Sequence, residues 1–433
     1  MQAAATLYVA NATATFGDGS LDFPFSDLQS CVDVLGSHAA GSSCLLLEGH
    51  YRFNRTVIAR GLHGAAGAPY TIGSAPGHTA TIDGTLDVET PWQWRATTQL
   101  LTNGTALHGG HWVASWPDDG RAEPWQLFVD DEMMIPARWP NARWDDKTVF
   151  DDTYWAHGSK YSTYCGPELR DLEYAGPCQL VDGTSEPTPG GSASLAASGI
   201  NATGAAAVLN IGHWFSYGAL VLSHAPGSRN FTYERDAGGG GWKSAKYKPT
   251  ADLYFLEGAL ALLDAETEWH YERATRELHL RTRGDADPND GMRVHARVQE
   301  YALAIGGCSH VTVRDLAFFA TTVYAGGEAN GYDDDVHHVS FDSLSFTHPS
   351  ASKRVLGECR FSWPTTLARK KGADASNNTL FNCARARPPR LARQSRHCCC
   401  CRGGLTLGGA RSGAQAPSLA PKLTRSSTRR AAG

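Results

Sequence analysis

Apolar and polar residues alternate over short distances through much of the chain, and in one place the alternation is duplicated. His310-Val311-Thr312-Val313-Arg314-Asp315-Leu316-Ala317-Phe318 returns further on as His338-Val339-Ser340-Phe341-Asp342-Ser343-Leu344-Ser345-Phe346, with four of nine positions identical. Val311 and Val313, like Val339 and Phe341, alternate with polar neighbours, which turns the apolar side chains to one face of a strand. A second short strand follows in each copy, carrying Leu316 and Phe318 or Leu344 and Phe346. Asn377-Asn-Thr-Leu-Phe-Asn-Cys383 begins as the first strand of a third copy. A strand pair recurring at a period of roughly 20 to 50 residues predicts stacked units that bury apolar faces against their neighbours. The expected fold class is all-β, a right-handed parallel β-helix.

The rest of the chain is read around that repeat. Leu7 to Ala10 predicts a strand, and Phe25, Leu28, Cys31, Val32 and Leu35 follow a helical period with Ser26 and Asp27 near its start. A stacked core needs a cover over its first coil, and this helix suits that role. Short extended pieces follow at Cys44–Leu47, Thr56–Ala59, Tyr70–Gly73 and Thr81–Asp83, separated by glycine and proline turns. Leu47-Glu-Gly-His-Tyr51, Gly67-Ala-Pro-Tyr-Thr-Ile72, Ala75-Pro-Gly77 and Ile82-Asp-Gly84 resemble the opening coils of the pectin lyase-like, right-handed β-helix proteins. These motifs are turns and strand edges, so the resemblance implies a fold more than an activity.

Eleven of the twelve tryptophans lie from Trp92 to Trp269. Packed coils leave little room for indoles, so residues 91–293 are expected to form a Trp-rich β insertion or elaborated coils between a first unit (1–90) and resumed coils (294–383). Two hairpins are expected inside it, one around Asp130-Asp-Glu132 and one joining Trp269–Tyr271 to Leu278–Leu280. Gln126–Asp130 with Ala137–Asn141, and Leu256–Leu260 with Glu268-Trp269, resemble insertions in β-helix proteins grouped with carbohydrate-active enzymes. Residues 384–433 lack periodicity, and Cys398 to Cys401 lack the spacing that brings cysteines onto a metal. That tail reads as a basic disordered segment or as a translated intron or frameshift, with the last coils of the solenoid missing.

Composition narrows the function classes. The 433 residues are 42% apolar and 19% charged, with no apolar run of membrane-spanning length. The net charge of −5 is uneven: eleven basic and no acidic residues lie from Arg385 onward, leaving 28 basic against 44 acidic before it. An acidic body argues against nucleic acid as a partner. Asn11, Asn54, Asn103, Asn201, Asn230 and Asn377 begin six glycosylation sequons, where 65 Ser and Thr among 433 residues would give about two by chance. Cys31 with Cys44, and Cys165 with Cys178, share one short spacing that suits local disulfides. Both features predict a secreted or cell-surface protein, although Met1 to Ala12 carries no signal peptide and the natural N-terminus is expected to lie upstream.

Three groups are candidates for chemistry. Asp333-Asp-Asp335 with His337-His338 occupies the bend between the copies, and Asp335 and His338 can act there as acid, base or ligand; the plainer reading is a solvated turn. Arg314, Asp315 and Asp342 follow inward strand residues and should line up along the coils. Glycosidase carboxylates flank the scissile bond, whereas β-helix polysaccharide lyases pair a basic residue with carboxylate-bound Ca²⁺. Trp139, Trp144, Trp155 and Trp214, with Arg138 nearby, form the third group: indoles stack on sugars, but equally fill a β core. No phosphate loop, nucleophile elbow or dinucleotide fingerprint is present. The expected partner is a polysaccharide or glycan. A glycoside hydrolase without cofactor is the leading expectation, with a polysaccharide lyase (then with Ca²⁺) and a non-catalytic glycan-binding module as alternatives.

Overall fold

The computed structural model describes residues 3–11, 17–53, 55–100, 106–163, 177–190, 194–211, 216–234, 252–326, 336–349 and 352–359, and the strand backbones 379–381, 384–385 and 406–407. Most of the regular structure is β. Strands β1 (Thr6–Val9), β2 (Ser43–Leu46), β3 (Gly49–Tyr51), β4 (Val57–Arg60), β5 (Tyr70–Ser74), β6 (Ala80–Asp83) and β7 (Thr85–Asp87) come first, with helix α1 (Leu28–Leu35) after β1. The Trp-rich stretch supplies β8 (Gln93–Leu100), β9 (Ala106–Ser115), β10 (Gln126–Val129), β11 (Glu132–Met133), β12 (Ile135–Pro136), β13 (Arg138–Trp139), β14 (Ala156–His157), β15 (Cys178–Val181), β16 (Ala206–Asn210), β17 (Tyr217–His224), β18 (Asn230–Tyr233), β19 (Leu253–Glu257), β20 (Glu268–Glu272) and β21 (Glu277–Leu280). Then follow β22 (Val294–Arg297), β23 (Tyr301–Gly306), β24 (Ser309–Arg314), β25 (Leu316–Phe319), β26 (Thr322–Ala325), β27 (His337–Asp342), β28 (Ser345–Thr347) and β29 (Thr379–Phe381).

Three sheets have only parallel neighbours. One runs β1-β2-β5-β24-β27-β29, a second contains β3-β6-β25-β28, and a third β4-β23-β26. β5 lies against β24, and β6 against β25, although the Trp-rich region separates them in sequence. Register stacks like on like: Ile72 faces Val313, which faces Phe341, and Phe318 sits between Ile82 and Phe346. The Phe318 and Phe346 rings stack at 4.9 Å and 10°. These side chains, with Leu46, Val57, Leu303 and Val323, form one buried cluster fed by all three sheets. Each such side chain contributes roughly 1.5–3 kcal/mol over its exposed state.

Helix α1 adds Leu28, Cys31, Val32 and Leu35 to that cluster, the face its periodicity marked. Asp27 caps it by accepting from the Ser30 amide at 3.1 Å, and the Cys31–Cys44 disulfide ties it to β2. The bends between parallel strands use left-handed non-glycine residues, and these too repeat: His310, Asp315 and Ala320 in one turn of the chain, His338, Ser343 and His348 in the next. Every pair keeps the offset that separates the two sequence copies. The duplicated sequence therefore encodes bends as well as strands.

The Trp-rich stretch is chiefly antiparallel. One sheet runs β12-β20-β21-β9-β8 and another contains β13-β19-β16-β17-β18-β15. Both expected hairpins form, β10 with β11 and β20 with β21. Trp92, Trp116, Trp125 and Trp269 share one core and Trp139 lies in another, so these indoles fill the module from within. On the other face of β9, β20 and β21, His111, His270 and His279 are buried side by side. His279 Nδ1 lies 3.0 Å from His111 Nε2, and the His270 ring is 5.9 Å from that of His279. Burial, then the neighbouring imidazoles, push the pKa of His279 down to about 3. Burial lowers those of His111 and His270 as well.

β22 departs from the expected resumption of parallel coils: it is antiparallel to both β10 and β7, and parallel pairing resumes with β23. The alternation of Val294 and Ala296 with His295 and Arg297 suits either direction, because period two does not encode strand polarity. Cys178 is disulfide-bonded, while Cys165 lies outside the described residues. Asn11, Asn201 and Asn230 are exposed; Asn54, Asn103 and Asn377 also fall outside. Among the described residues no helix is long and apolar enough to cross a membrane.

Candidate functional site

Alternation along β6 turns Ile82 into the core and Asp83 to the opposite face of its sheet, where parallel register sets Asp83, Phe319 and Thr347 in one row. Arg52 follows Tyr51, the partner of Ile82, and joins that row. Gly84 then takes the chain out of the sheet. A Cβ there would lie 2.5 Å from the carbonyl oxygen of Ala320, and only glycine allows this approach. β7 emerges beside β22, with Asp87 opposite His295 and Thr85 opposite Arg297. On the far side of β22, β10 places Phe128 opposite His295, and its turn brings Asp131 over the imidazole. Asp130 and Asp131 both have positive φ, as a two-residue hairpin turn requires, and aspartate tolerates this better than most residues.

The result is an ionic network at the junction of the second parallel sheet and the β10-β22-β7 sheet. Arg52 Nε donates to Asp83 Oδ2 at 2.9 Å and Nη1 to Asp87 Oδ2 at 2.6 Å. Arg293 reaches three carboxylates: Asp87 Oδ1 at 3.1 Å, Asp131 Oδ1 at 3.0 Å and Asp83 Oδ2 at 3.5 Å. Asp83 Oδ1 accepts from the Thr85 amide and hydroxyl at 2.9 and 2.7 Å. Thr85 Oγ1 in turn lies 2.8 Å from His295 Nδ1, and His295 Nε2 lies 3.1 Å from Asp131 Oδ1. Phe128 and Phe319 pack on the imidazole, the Phe319 ring stacked at 5.6 Å and 21°, and His348 packs on both phenyl rings.

Exposure separates roles within the network. The Asp83 side chain is 4% exposed and His295 wholly buried, whereas Asp87 and Asp131 are 40% and 61% exposed. Asp83 is thus a buried anchor, and Asp87 and Asp131 are the carboxylates open to solvent. Both touch the guanidinium of Arg293, at 3.1 and 3.0 Å. Burial opposes the charge on Arg52, but Asp83 and Asp87 outweigh it and raise its pKa. Burial, then Arg52 and His348, push His295 down to about 4. Arg52 also lines a shallow cavity of about 440 Å³ with Ser26, Asp27, Phe53 and Arg55.

The residues singled out from sequence lie elsewhere. Asp315 and Asp342 come together at the bend between the first and second parallel sheets: the Asp315 amide donates to the Asp342 carbonyl at 3.1 Å, and the Asp315 carboxylate pairs with Arg314 at 2.6 Å. His338 is exposed at the preceding bend, stacked on His310 at 4.5 Å, with His337 Nδ1 2.7 Å from its own Nδ1. Asp335 and Trp214 lie outside the described residues. Arg138 and Trp139 are buried: Arg138 lies 3.9 Å over the Phe255 ring and donates to the Pro140 carbonyl, and Trp139 packs on Tyr254. Half-buried Trp155 meets Phe255 edge-on, and Trp144 packs separately on Phe150. Among the described residues no three His, Cys, Asp or Glu side chains converge as a metal site would require.

The junction network escaped the sequence because its members come from positions 52, 83–87, 131 and 293–295, with no shared spacing. One signal was present: Asp130-Asp-Glu132 and the Ile82-Asp-Gly84 turn each set carboxylates beside a change of chain direction.

No family model and no curated protein matches the chain. Two solved structures resemble it. One, described as "Glycoside hydrolase", aligns with a TM-score of 0.50 at 14% identity, covering 79% of this chain and 61% of its own. The other, "The complex structure of XylC with xylose", aligns with a TM-score of 0.37 at 12% identity, covering 87% and 50%. The chain therefore spans about three fifths of the length of the first, and what it shares with that protein is the fold.

Proposed function

We propose that this chain is an extracellular carbohydrate-active protein, a glycoside hydrolase acting on a polysaccharide, built as a right-handed parallel β-helix with a Trp-rich β insertion. The observation that carries the reading is the pair of exposed carboxylates, Asp87 and Asp131, held on one guanidinium where the insertion overhangs the parallel sheet. Planar carboxylates and guanidiniums recognise sugar hydroxyls, and half-buried Phe319 and His348 offer ring faces to a pyranose. The likeness to a solved glycoside hydrolase fold supports the same class.

Cleavage by hydrolysis needs a proton donor at the leaving oxygen and a carboxylate on the other side of the bond. Asp131 takes the first role and Asp87 the second. A lyase would need a basic residue that readily gives up its proton, yet Arg52 holds its proton more firmly than an ordinary guanidinium. The test is a panel of polysaccharides incubated with the intact chain. New reducing ends without ultraviolet absorbance of an unsaturated product support hydrolysis; unsaturated ends support elimination; affinity on a glycan array without turnover supports a binding module. The absence of both turnover and affinity overturns the carbohydrate reading.

A further inference from the structure

One indole of the Trp-rich module lies outside its cores. In the antiparallel pair of β8 and β9, Trp94 stands opposite Trp112 and Ala96 opposite Gly110, so all four share one face of the sheet. Further along β9 and β21 that face is core: Ala114, Leu278 and Leu280 are buried in it, and half-buried Trp112 packs at its margin. Among the described residues β8 is the last strand of its sheet, and Trp94, beyond that margin, is 43% exposed.

The exposed ring is held flat. A Cβ on Gly110 would lie 2.5 Å from Cε2 and Cζ2 of Trp94, so the indole rests on the bare backbone of the neighbouring strand. Gly110 is buried beneath it, although it sits next to the edge strand. Trp112 closes one side, its ring edge-on to Trp94 at 5.2 Å and 67°. Trp112 is fixed in turn, because its Nε1 donates to the Asp285 carbonyl at 3.3 Å. The Asp285 carboxylate, partly exposed and 3.5 Å from Arg281, puts a hydrogen-bonding pair beside the rings. One face of Trp94 is thus packed on the sheet, and the other is open.

Area selects the occupant. A tryptophan side chain buries at most about 250 Å², and less than half of Trp94 is open. A stable protein contact covers about 800 Å² on each partner. The open area fits a ligand with one flat apolar face and a polar edge. A pyranose ring has that form: its C–H face stacks on an indole while its hydroxyls reach the polar rim.

We propose that Trp94 is the platform for one pyranose ring of a glycan chain, a binding subsite separate from the Asp87 and Asp131 pair. Gly110 and Trp112 are positioning residues that hold its indole flat. The subsite rests on the carbohydrate reading above and needs no catalysis. Trp94 follows Asp87 by seven residues, a span of at most about 25 Å, so one polysaccharide chain can meet both.

Affinity electrophoresis of the intact chain through gels containing each polysaccharide of the panel tests the platform, with thermal unfolding recorded for every variant. Trp94→Ala is expected to weaken retention by the bound polysaccharide about tenfold, and Trp94→Phe to keep most of it. Gly110→Ala keeps the indole but lifts it off the strand, and should weaken retention as Trp94→Ala does. If Gly110→Ala fails to fold, the two Trp94 variants decide. Unchanged retention in Trp94→Ala overturns the proposal. That result together with hydrolysis that Asp87→Asn abolishes removes the platform and leaves the hydrolase reading standing. Retention lost in Trp94→Ala, from a wild type that cleaves no glycan, does the reverse. A dimer in sedimentation that Trp94→Ala dissolves, with no glycan retained, overturns the proposal by showing that a second copy covers the β8 edge.

Discussion

Acid should loosen the Trp-rich module well before it protonates the carboxylates. His111, His270 and His279 lie on one buried face of β9, β20 and β21, and all three have depressed pKa values. The groups facing them are mixed: Glu277 and Glu272 favour protonation, while Arg95, Arg281 and the other imidazoles oppose it. A histidine depressed in the folded state is neutral there but takes up a proton when unfolded at its ordinary value of about 6.5. Its contribution is full above that value and is lost as pH falls toward the folded value, about 3 for His279. Between pH 7 and 5 the loss for such a group is about 2 kcal/mol. His111 and His270 add in the same direction. Urea unfolding of the intact chain at pH 7, 6 and 5, followed by tryptophan fluorescence, measures the sum. In His279→Gln, which keeps a hydrogen-bonding side chain but cannot titrate, the slope should fall by about 2 kcal/mol over that range. Stability that stays flat from pH 7 to 5, or a slope unaffected by His279→Gln, refutes the reasoning.

Other consequences can be checked in parallel. Phe318→Ala opens the core between Ile82 and Phe346 and should cost about 3–5 kcal/mol in urea unfolding, where a loss below about 1 kcal/mol would contradict the stacked core. Replacing Cys31 and Cys44 by serine removes a covalent tie between α1 and β2 and should lower stability by about 3 kcal/mol, read from the same transition. Asn11, Asn201 and Asn230 are exposed, so protein expressed through a secretory pathway should shift in mobility on glycosidase treatment and lose part of the shift with each Asn→Gln.

The parallel sheets were legible because their information is local and repeated. Val311, Val313, Val339 and Phe341 alternate, and the constant offset between the copies sets the register directly. Helix α1 was legible for the same reason, its apolar period starting at an aspartate cap. Strand direction at β22 was not legible, since alternation is identical for parallel and antiparallel pairing. The indoles illustrate a different limit. Trp139 satisfies a sugar-stacking pattern and a core pattern equally well in sequence, and only its packing on Tyr254 tells them apart. The junction site was hidden for a topological reason. Asp83 and His295 are joined through one threonine hydroxyl across the whole Trp-rich region, and no spacing rule spans that gap.

The central claim is that Asp87 and Asp131 at this junction hydrolyse a glycosidic bond, and a comparison of wild type with Asp87→Asn tests it most directly. Reducing-end release from a polysaccharide panel is measured for both proteins, with thermal unfolding recorded to show that the fold is kept. Wild type should release reducing ends without unsaturated product, and Asp87→Asn should lose that activity roughly a hundredfold or more while still binding the same glycan. Equal rates in the two proteins, or wild type that neither cleaves nor binds any glycan of the panel, would contradict the account.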